Sequence, residues 1–380
     1  MSLPAVKPQS SDDAERWIKA TYRVRATASV IEARAQAIAL EQSVELPLAA
    51  VRDPRVLREV VARVGDIVAA GPNAFSVTIA LAIETTGFES GQLLNMLFGN
   101  TSLQDDVALI DVDMPSTFAE RFGGPRFGIA GIREITGVHD RPLTCSALKP
   151  QGLEPAQYAA IARTFARAGI DVIKDDHGLA DQASAPFAAR VREVQRAVDD
   201  VNREIGTRCV YAPNLSGTYD RIQEQLNHTR SCGVRMLLIA PMVTGVAALA
   251  AAARDAGVPI IAHPALAGSM RIAPPLLLGK LFRLFGADAT IFPNAGGRFG
   301  YGADVCAGIA DAARAPWHHL APMLPVPAGG MSVERVPEMR ALFGDDAMLL
   351  IGGSLLSAGD QLLDRCRAFV EAVSERRSPR

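Results

Sequence analysis

The chain has 380 residues, enough for two domains with sizeable cores, and a formal net charge of −2. That balance offers no basic footprint for nucleic acid and no charged tail. The richest apolar run, Val243 to Ala253, is short, Ala-dominated and bounded by Pro241 and Arg254, so no membrane span is expected.

Met1 to Trp17 lacks a basic stretch followed by an apolar core, so no signal peptide is expected. The five cysteines, Cys145, Cys209, Cys232, Cys306 and Cys366, are scattered without CxxC spacing. They read as reduced thiols of a cytoplasmic protein.

Residues 1–126 form the first organisational unit. Thr21 to Val24 reads as a strand, Ile31 to Leu40 as an Ala-rich helix and Phe75 to Ile83 as a strand. Ser90 to Leu97 reads as a helix and Val107 to Val112 as another strand. The pattern suits a small α+β domain of the ferredoxin-like kind. Gly and Pro cluster in Phe122 to Phe127, which marks the boundary.

From 127 to 380 the pattern becomes regular. Apolar strands are expected at Leu143–Lys149, Asp171–Asp176, Arg208–Asn214, Arg235–Pro241, Pro259–Pro264, Ala289–Asn294, Leu324–Ala328 and Met348–Gly353. Helical stretches separate them, among them Gln157–Ala168, Phe187–Ile205, Tyr219–Cys232 and Pro275–Phe285. Gly169, Gly206, Gly233, Gly257 and Gly286 stand where helix C-caps should. Repeated β-then-α units with near-continuous apolar strands predict a closed parallel (β/α)8 TIM barrel.

In such a barrel the carboxyl ends of the strands build the active site. Those ends carry Lys149-Pro150, then Lys174, Asp175, Asp176 and His177, then Asn214 and His263-Pro264. Asn294 with Gly296-Gly297-Arg298, Gly329-Gly330 and Gly352-Gly353 follow. A run of ionisable groups such as 174–177 cannot be buried without partners. Strand alternation puts Lys174 and Asp176 on one side, Asp175 and His177 on the other. The glycine pairs let backbone N–H groups approach a phosphate. Asp176 supplies an oxygen of the kind Mg²⁺ prefers. Lys174 supplies another only as a carbamate, formed with CO₂; as a plain cation it would simply neutralise its acidic neighbours.

Gly-Ile-Asp-Val-Ile-Lys-Asp-Asp-His, residues 169–177, resembles the lysine signature of the RuBisCO large-subunit superfamily. Lys149-Pro150 is similar to its strand-one motif and Phe98-Gly-Asn100 to its N-domain asparagine. Pro213-Asn214, His263, Gly329-Gly330 and Phe343-Gly-Asp-Asp346 with Ile351-Gly-Gly353 fall in matching order. The resemblance implies an N-terminal α+β domain on a (β/α)8 barrel, and a homodimer whose sites lie at the subunit interface, with Asn100 acting in trans.

Several family positions differ. The last metal-ligand Glu is His177, the second strand-one lysine is Gln151, and the arginine after the strand-five histidine is Pro264. The strand-six phosphate histidine is Ile291, the strand-seven serine is Ala328, and the mobile-loop lysine aligns at best with Arg298. One phosphate pocket is retained and the other has lost its charged and polar donors, each worth roughly 1.5–3 kcal/mol. Ribulose bisphosphate is therefore not the expected substrate, nor carboxylation the expected reaction. The resemblance points to a RuBisCO-like protein of the form IV class.

It implies metal-assisted enolisation of a phosphorylated ketose with an apolar far end, such as a methylthio sugar phosphate of sulfur salvage, giving an isomerase or tautomerase. Lys149 is the expected base, with His263 as acid, base or orienter and Asn100 as its N-domain partner. Lys174, carbamylated, with Asp176 and His177 would hold Mg²⁺. Gly329, Gly330, Gly352 and Gly353 would hold the phosphate, while Asn214, Asn294 and Arg298 line the site. One alternative is a decarboxylase of a β-keto sugar acid phosphate, using Arg298 or Arg271 for the carboxylate. The other is a non-catalytic homologue.

Overall fold

The structure, a computed structural model, describes residues 15–375 and divides into two compact units. The first runs to Gly123 and also takes in Leu266–Leu277 and Trp317–His319. The second holds the rest, from Gly124 onward.

In the first unit, β1 (Trp17–Arg25), β2 (Arg63–Ala69), β3 (Ala74–Ala82) and β4 (Val107–Asp113) form an antiparallel sheet in the order β2-β3-β1-β4. With helices Ile31–Glu41 and Ser90–Phe98 between the strands, this is the βαββαβ order of a ferredoxin-like fold. β1 pairs with β3 along its whole length, Trp17 opposite Ala82 and Arg25 opposite Ala74. Strand β2 lies outside the expected elements. It carries Gly65 and Asp66, its register shifts between Val64 and Ile67, and it sits at the sheet edge, where a strand need not alternate cleanly.

The second unit is the (β/α)8 barrel. Its strands are β5 (Leu143–Leu148), β6 (Val172–Asp175), β7 (Val210–Ala212) with β8 (Asn214–Leu215), β9 (Leu237–Ile239), β10 (Ile260–Ala262), β11 (Ala289–Pro293), β12 (Leu324–Ala328) and β13 (Met348–Leu350). Strands β7 and β8 are one strand interrupted at Pro213, which has no N–H to give a ladder. β7 pairs with β6, β8 pairs with β9, and β13 returns to pair with β5, all in parallel.

Side chains of alternating parity fill the barrel: Leu143, Cys145, Val172, Ala212, Leu238, Ile261, Ile291, Val326, Ala328 and Leu350 belong to one buried cluster. Helix Gly128–Thr136, not foreseen from the sequence, adds Ile132 to that cluster. The Asp288 carboxylate accepts the backbone N–H groups of Phe127 and Gly128 at the start of that helix, each at 2.8 Å. The expected helix Pro275–Phe285 is a π-helix over Pro275–Leu281, followed by an α-helical turn. Gly206, the C-cap of helix Phe187–Ile205, has φ 70°, and Gly169, Gly233, Gly257 and Gly286 also adopt positive φ.

Candidate active site

The second barrel strand organises the site. Along β6, Val172 joins the barrel core and Lys174 follows two residues later with the same orientation, 3% exposed. Its Nζ donates to the carbonyl oxygen of Asp175 at 2.9 Å. Burial pulls the Lys174 pKa below its ordinary value.

Asp175 points the other way and is fully buried. It accepts from the Tyr211 hydroxyl at 2.7 Å, from Arg190 Nε at 3.2 Å and from the Asn214 N–H at 3.1 Å. Burial pushes its pKa up, while Arg190, Tyr211 and Asn214 work in the opposite direction.

Asp176 and Lys149 meet across the tips of β6 and β5. Lys149 Nζ donates to Asp176 Oδ2, and the Gly178 N–H donates to Asp176 Oδ1 at 3.1 Å. Burial opposes the charge of Asp176, yet the Lys149 hydrogen bond and the Lys174 charge hold its pKa down at about 2.

His177 departs from the alternation expected of it. β6 ends at Asp175, so residue 177 lies in a turn rather than on the strand's far side. Its ring stacks on His263, centroids 4.1 Å apart and planes 10° from parallel, with Nδ1 3.6 Å from Asp176 Oδ1. It therefore joins the Lys174–Asp176 side instead of the Asp175 side.

His263 is held neutral. Burial, then the charge of Lys174, bring its pKa down to about 2. Its Nδ1 accepts the Ala265 N–H at 3.1 Å, so in the neutral ring the proton sits on Nε2. The structure thus brings Lys149, Lys174, Asp176, His177 and His263 together.

The remaining expected residues are placed differently. Asn214 does not present its amide to a ligand through Nδ2, which ties down the carbonyls of His177 and Leu179 at 3.1 and 2.8 Å. Asn294 Nδ2 rests on Met331 Sδ at 3.1 Å, its backbone N–H bonded to Ala328 O. Arg298 packs its guanidinium over Phe299 and its N–H against Gly329 O.

Gly329 and Gly330 both have φ 80°, and a Cβ at Gly330 would lie 2.8 Å from Arg298 N. Close loop packing accordingly explains that pair without a ligand. Gly353 opens helix Gly353–Leu356, and a Cβ there would meet nothing within 4 Å. Asn100 lies in the first unit, donating to Glu41 Oε1 at 3.0 Å. Arg271 donates to the carbonyls of Ser102, Gln104 and Val107.

As arranged, these groups do not make a shell for Mg²⁺. Both Asp176 oxygens already accept protein N–H groups, Lys174 is a donor, and His177 offers nitrogen. No group of three or more His, Cys, Asp or Glu among the described residues could hold a metal ion. An oxygen-donor pair arises only once Lys174 carries a carbamate.

Residues 128–360 match the catalytic domain of the ribulose bisphosphate carboxylase large chain. The chain belongs to that family. It is 54% identical to a 5-methylthioribulose-1-phosphate isomerase of Rhodospirillum rubrum, over 94% of this chain and 96% of the relative. It is 34% identical to a 2,3-diketo-5-methylthiopentyl-1-phosphate enolase of Geobacillus kaustophilus, over 78% and 74%. A solved RuBisCO-like protein from Rhodopseudomonas palustris superposes with TM-score 0.90 at 48% identity, covering 96% of this chain and all of that one.

Arg190 and Tyr211, which join Asn214 around Asp175, escaped the sequence reading. A charged residue in the buried stripe of helix Phe187–Ile205 was the available signal, since Arg190 alternates there with Phe187, Val191 and Val194.

Proposed function

We infer that this chain is a RuBisCO-like sugar-phosphate isomerase acting on a 5-methylthioribulose-1-phosphate-like compound of methionine salvage. The gathering of Lys149, Lys174, Asp176 and His263 at the carboxyl ends of three barrel strands supports the reading, in a chain 54% identical to such an isomerase. The reaction moves a proton between neighbouring carbons and leaves the oxidation balance of the molecule unchanged.

Lys149 takes the proton from the carbon beside the carbonyl, and the freed electron pair moves onto the carbonyl oxygen. Asp176 orients the Lys149 amine through their hydrogen bond. His263 donates its Nε2–H to the oxygen where negative charge develops, as a neutral ring kept so by burial. Lys149 then returns the proton to the former carbonyl carbon, while the neighbouring hydroxyl passes its own proton to the former carbonyl oxygen and becomes the new carbonyl. Gly352 and Gly353 hold the phosphate, and the open space at Gly353 leaves room for it. Ile291 and Ala328, both in the barrel's apolar cluster, suit an uncharged methylthio end.

Enzymes of this family generally use Mg²⁺, and a carbamate on Lys174 beside Asp176 is what this site needs to take one. The active assembly in this reading is a homodimer, each site completed by the partner subunit's Asn100.

The test is turnover of 5-methylthioribulose 1-phosphate in D₂O. Formation of an isomer with deuterium at the carbon beside the carbonyl supports the reading. Absence of both product and exchange overturns it, as does CO₂ release from a β-keto acid phosphate without any exchange.

A further inference from the structure

The ion pair of Asp175 and Arg190 is fully buried on both sides, and it lies behind the reacting strand rather than in the site. Such a pair rarely repays its desolvation, so stability alone does not account for it. Its position does. Asp175 is one peptide unit from Lys174 and one from Asp176, and its carbonyl oxygen is the acceptor of the Lys174 amine. On the opposite face its carboxylate is held at three points, from helix Phe187–Ile205, from β7 and from β8. Arg190 is itself fixed by the carbonyls of Ala180 and Ala185, at 2.9 and 2.8 Å, on the loop that follows His177. Asn214 closes the ring by holding the carbonyls of His177 and Leu179.

We propose that Tyr211 is a positioning residue, which sets Lys174 and Asp176 for the reaction by clamping Asp175 from the neighbouring strand. The proposal rests on the isomerase reading. The Tyr211 hydroxyl makes the shortest contact to the Asp175 carboxylate, and it is the one uncharged side chain bonded to it. Removing it frees one carboxylate oxygen while Arg190 keeps the charge neutralised. The tip of β6 can then turn, and displacements of that order at a reacting group lower rates by factors up to about 100.

The test is Tyr211→Phe in the full-length protein, compared with Thr144→Val. Thr144 also gives a buried hydroxyl to a carboxylate, Asp171 at 2.8 Å, but at the start of the neighbouring strand β5. The expected result is a fall in kcat of about tenfold or more in Tyr211→Phe with KM within about twofold, and unchanged kcat in Thr144→Val. Equal kcat in the two variants, measured where both are folded, overturns the proposal.

A second readout does not depend on turnover. The chain has only five lysines, so ¹³C labelling at the lysine ε carbon gives a sparse spectrum in which Lys174→Met identifies the Lys174 signal. That signal moves in Tyr211→Phe and stays in place in Thr144→Val; an unmoved signal in both overturns the proposal. Arg190→Lys, read the same way, replaces Tyr211→Phe should that variant not fold. If the wild-type chain isomerises nothing, the functional reading has failed, and the Lys174 signal alone decides the positioning.

Discussion

Of the 39 basic residues, only Lys7, Lys19, Lys149, Lys174 and Lys280 are lysines. Arginine stays charged at any working pH, whereas a lysine can give up its proton or react with CO₂. Two of the five stand at neighbouring barrel tips, a signal that composition already carried. Replacing Lys149 by Ala should lower kcat by about 10²- to 10⁴-fold, the usual contribution of a proton-transfer group, with the barrel still folded by circular dichroism. Gly353→Ala is a milder probe. Its Cβ enters open space, so the melting temperature should hold while KM for the phosphorylated substrate rises severalfold; an unchanged KM would place the phosphate elsewhere. Lys174, with its pKa lowered by burial, should react with ¹³C-bicarbonate and Mg²⁺ to give a carbamate carbon signal that Lys174→Met abolishes.

At the scale of the element, β6 shows where alternation stops being a guide. Parity along Val172, Lys174 and Asp175 was legible, because a strand leaves its side chains no other choice. His177 was not, since the strand's last hydrogen-bonded residue decides where parity ends, and no residue type announces it. The partners of Asp175 were hidden for a similar reason: Arg190 and Tyr211 are 15 and 36 residues away and come near only in three dimensions. Arg190→Met should leave Asp175 buried without its cation and destabilise the fold by about 3–5 kcal/mol, read as a lower denaturant midpoint. Helix ends were easier, since a glycine after an apolar stripe has a local conformational cause. The edge strand β2 and the helix Gly128–Thr136 carry no such local mark.

For the whole molecule, the alternation of strand and helix sufficed to predict the barrel. The division into units was less legible, because Leu266–Leu277 and Trp317–His319 cluster with the first unit despite their place in the chain. Stability should fall in acid. His263 stays neutral in the fold down to about pH 2, while the unfolded chain binds that proton near pH 6.5, so the folded state is favoured above that value and loses ground below it. Between pH 7.5 and 5 the unfolding free energy should drop by about 2 kcal/mol from this residue, and His263→Gln should flatten the slope. If sites are shared between subunits, mixing inactive Lys149→Ala and Asn100→Ala chains should restore about a quarter of wild-type activity, since half the random dimers carry one intact site. The seat of helix Gly128–Thr136 has a further consequence for biosynthesis. Its two pinning N–H groups find their acceptor on Asp288, 160 and 161 residues downstream. At ribosomal speeds the nascent floor of the barrel therefore waits on the order of ten seconds for its anchor. The early strands emerge with an uncovered end throughout that interval, when a chaperone has most reason to hold them.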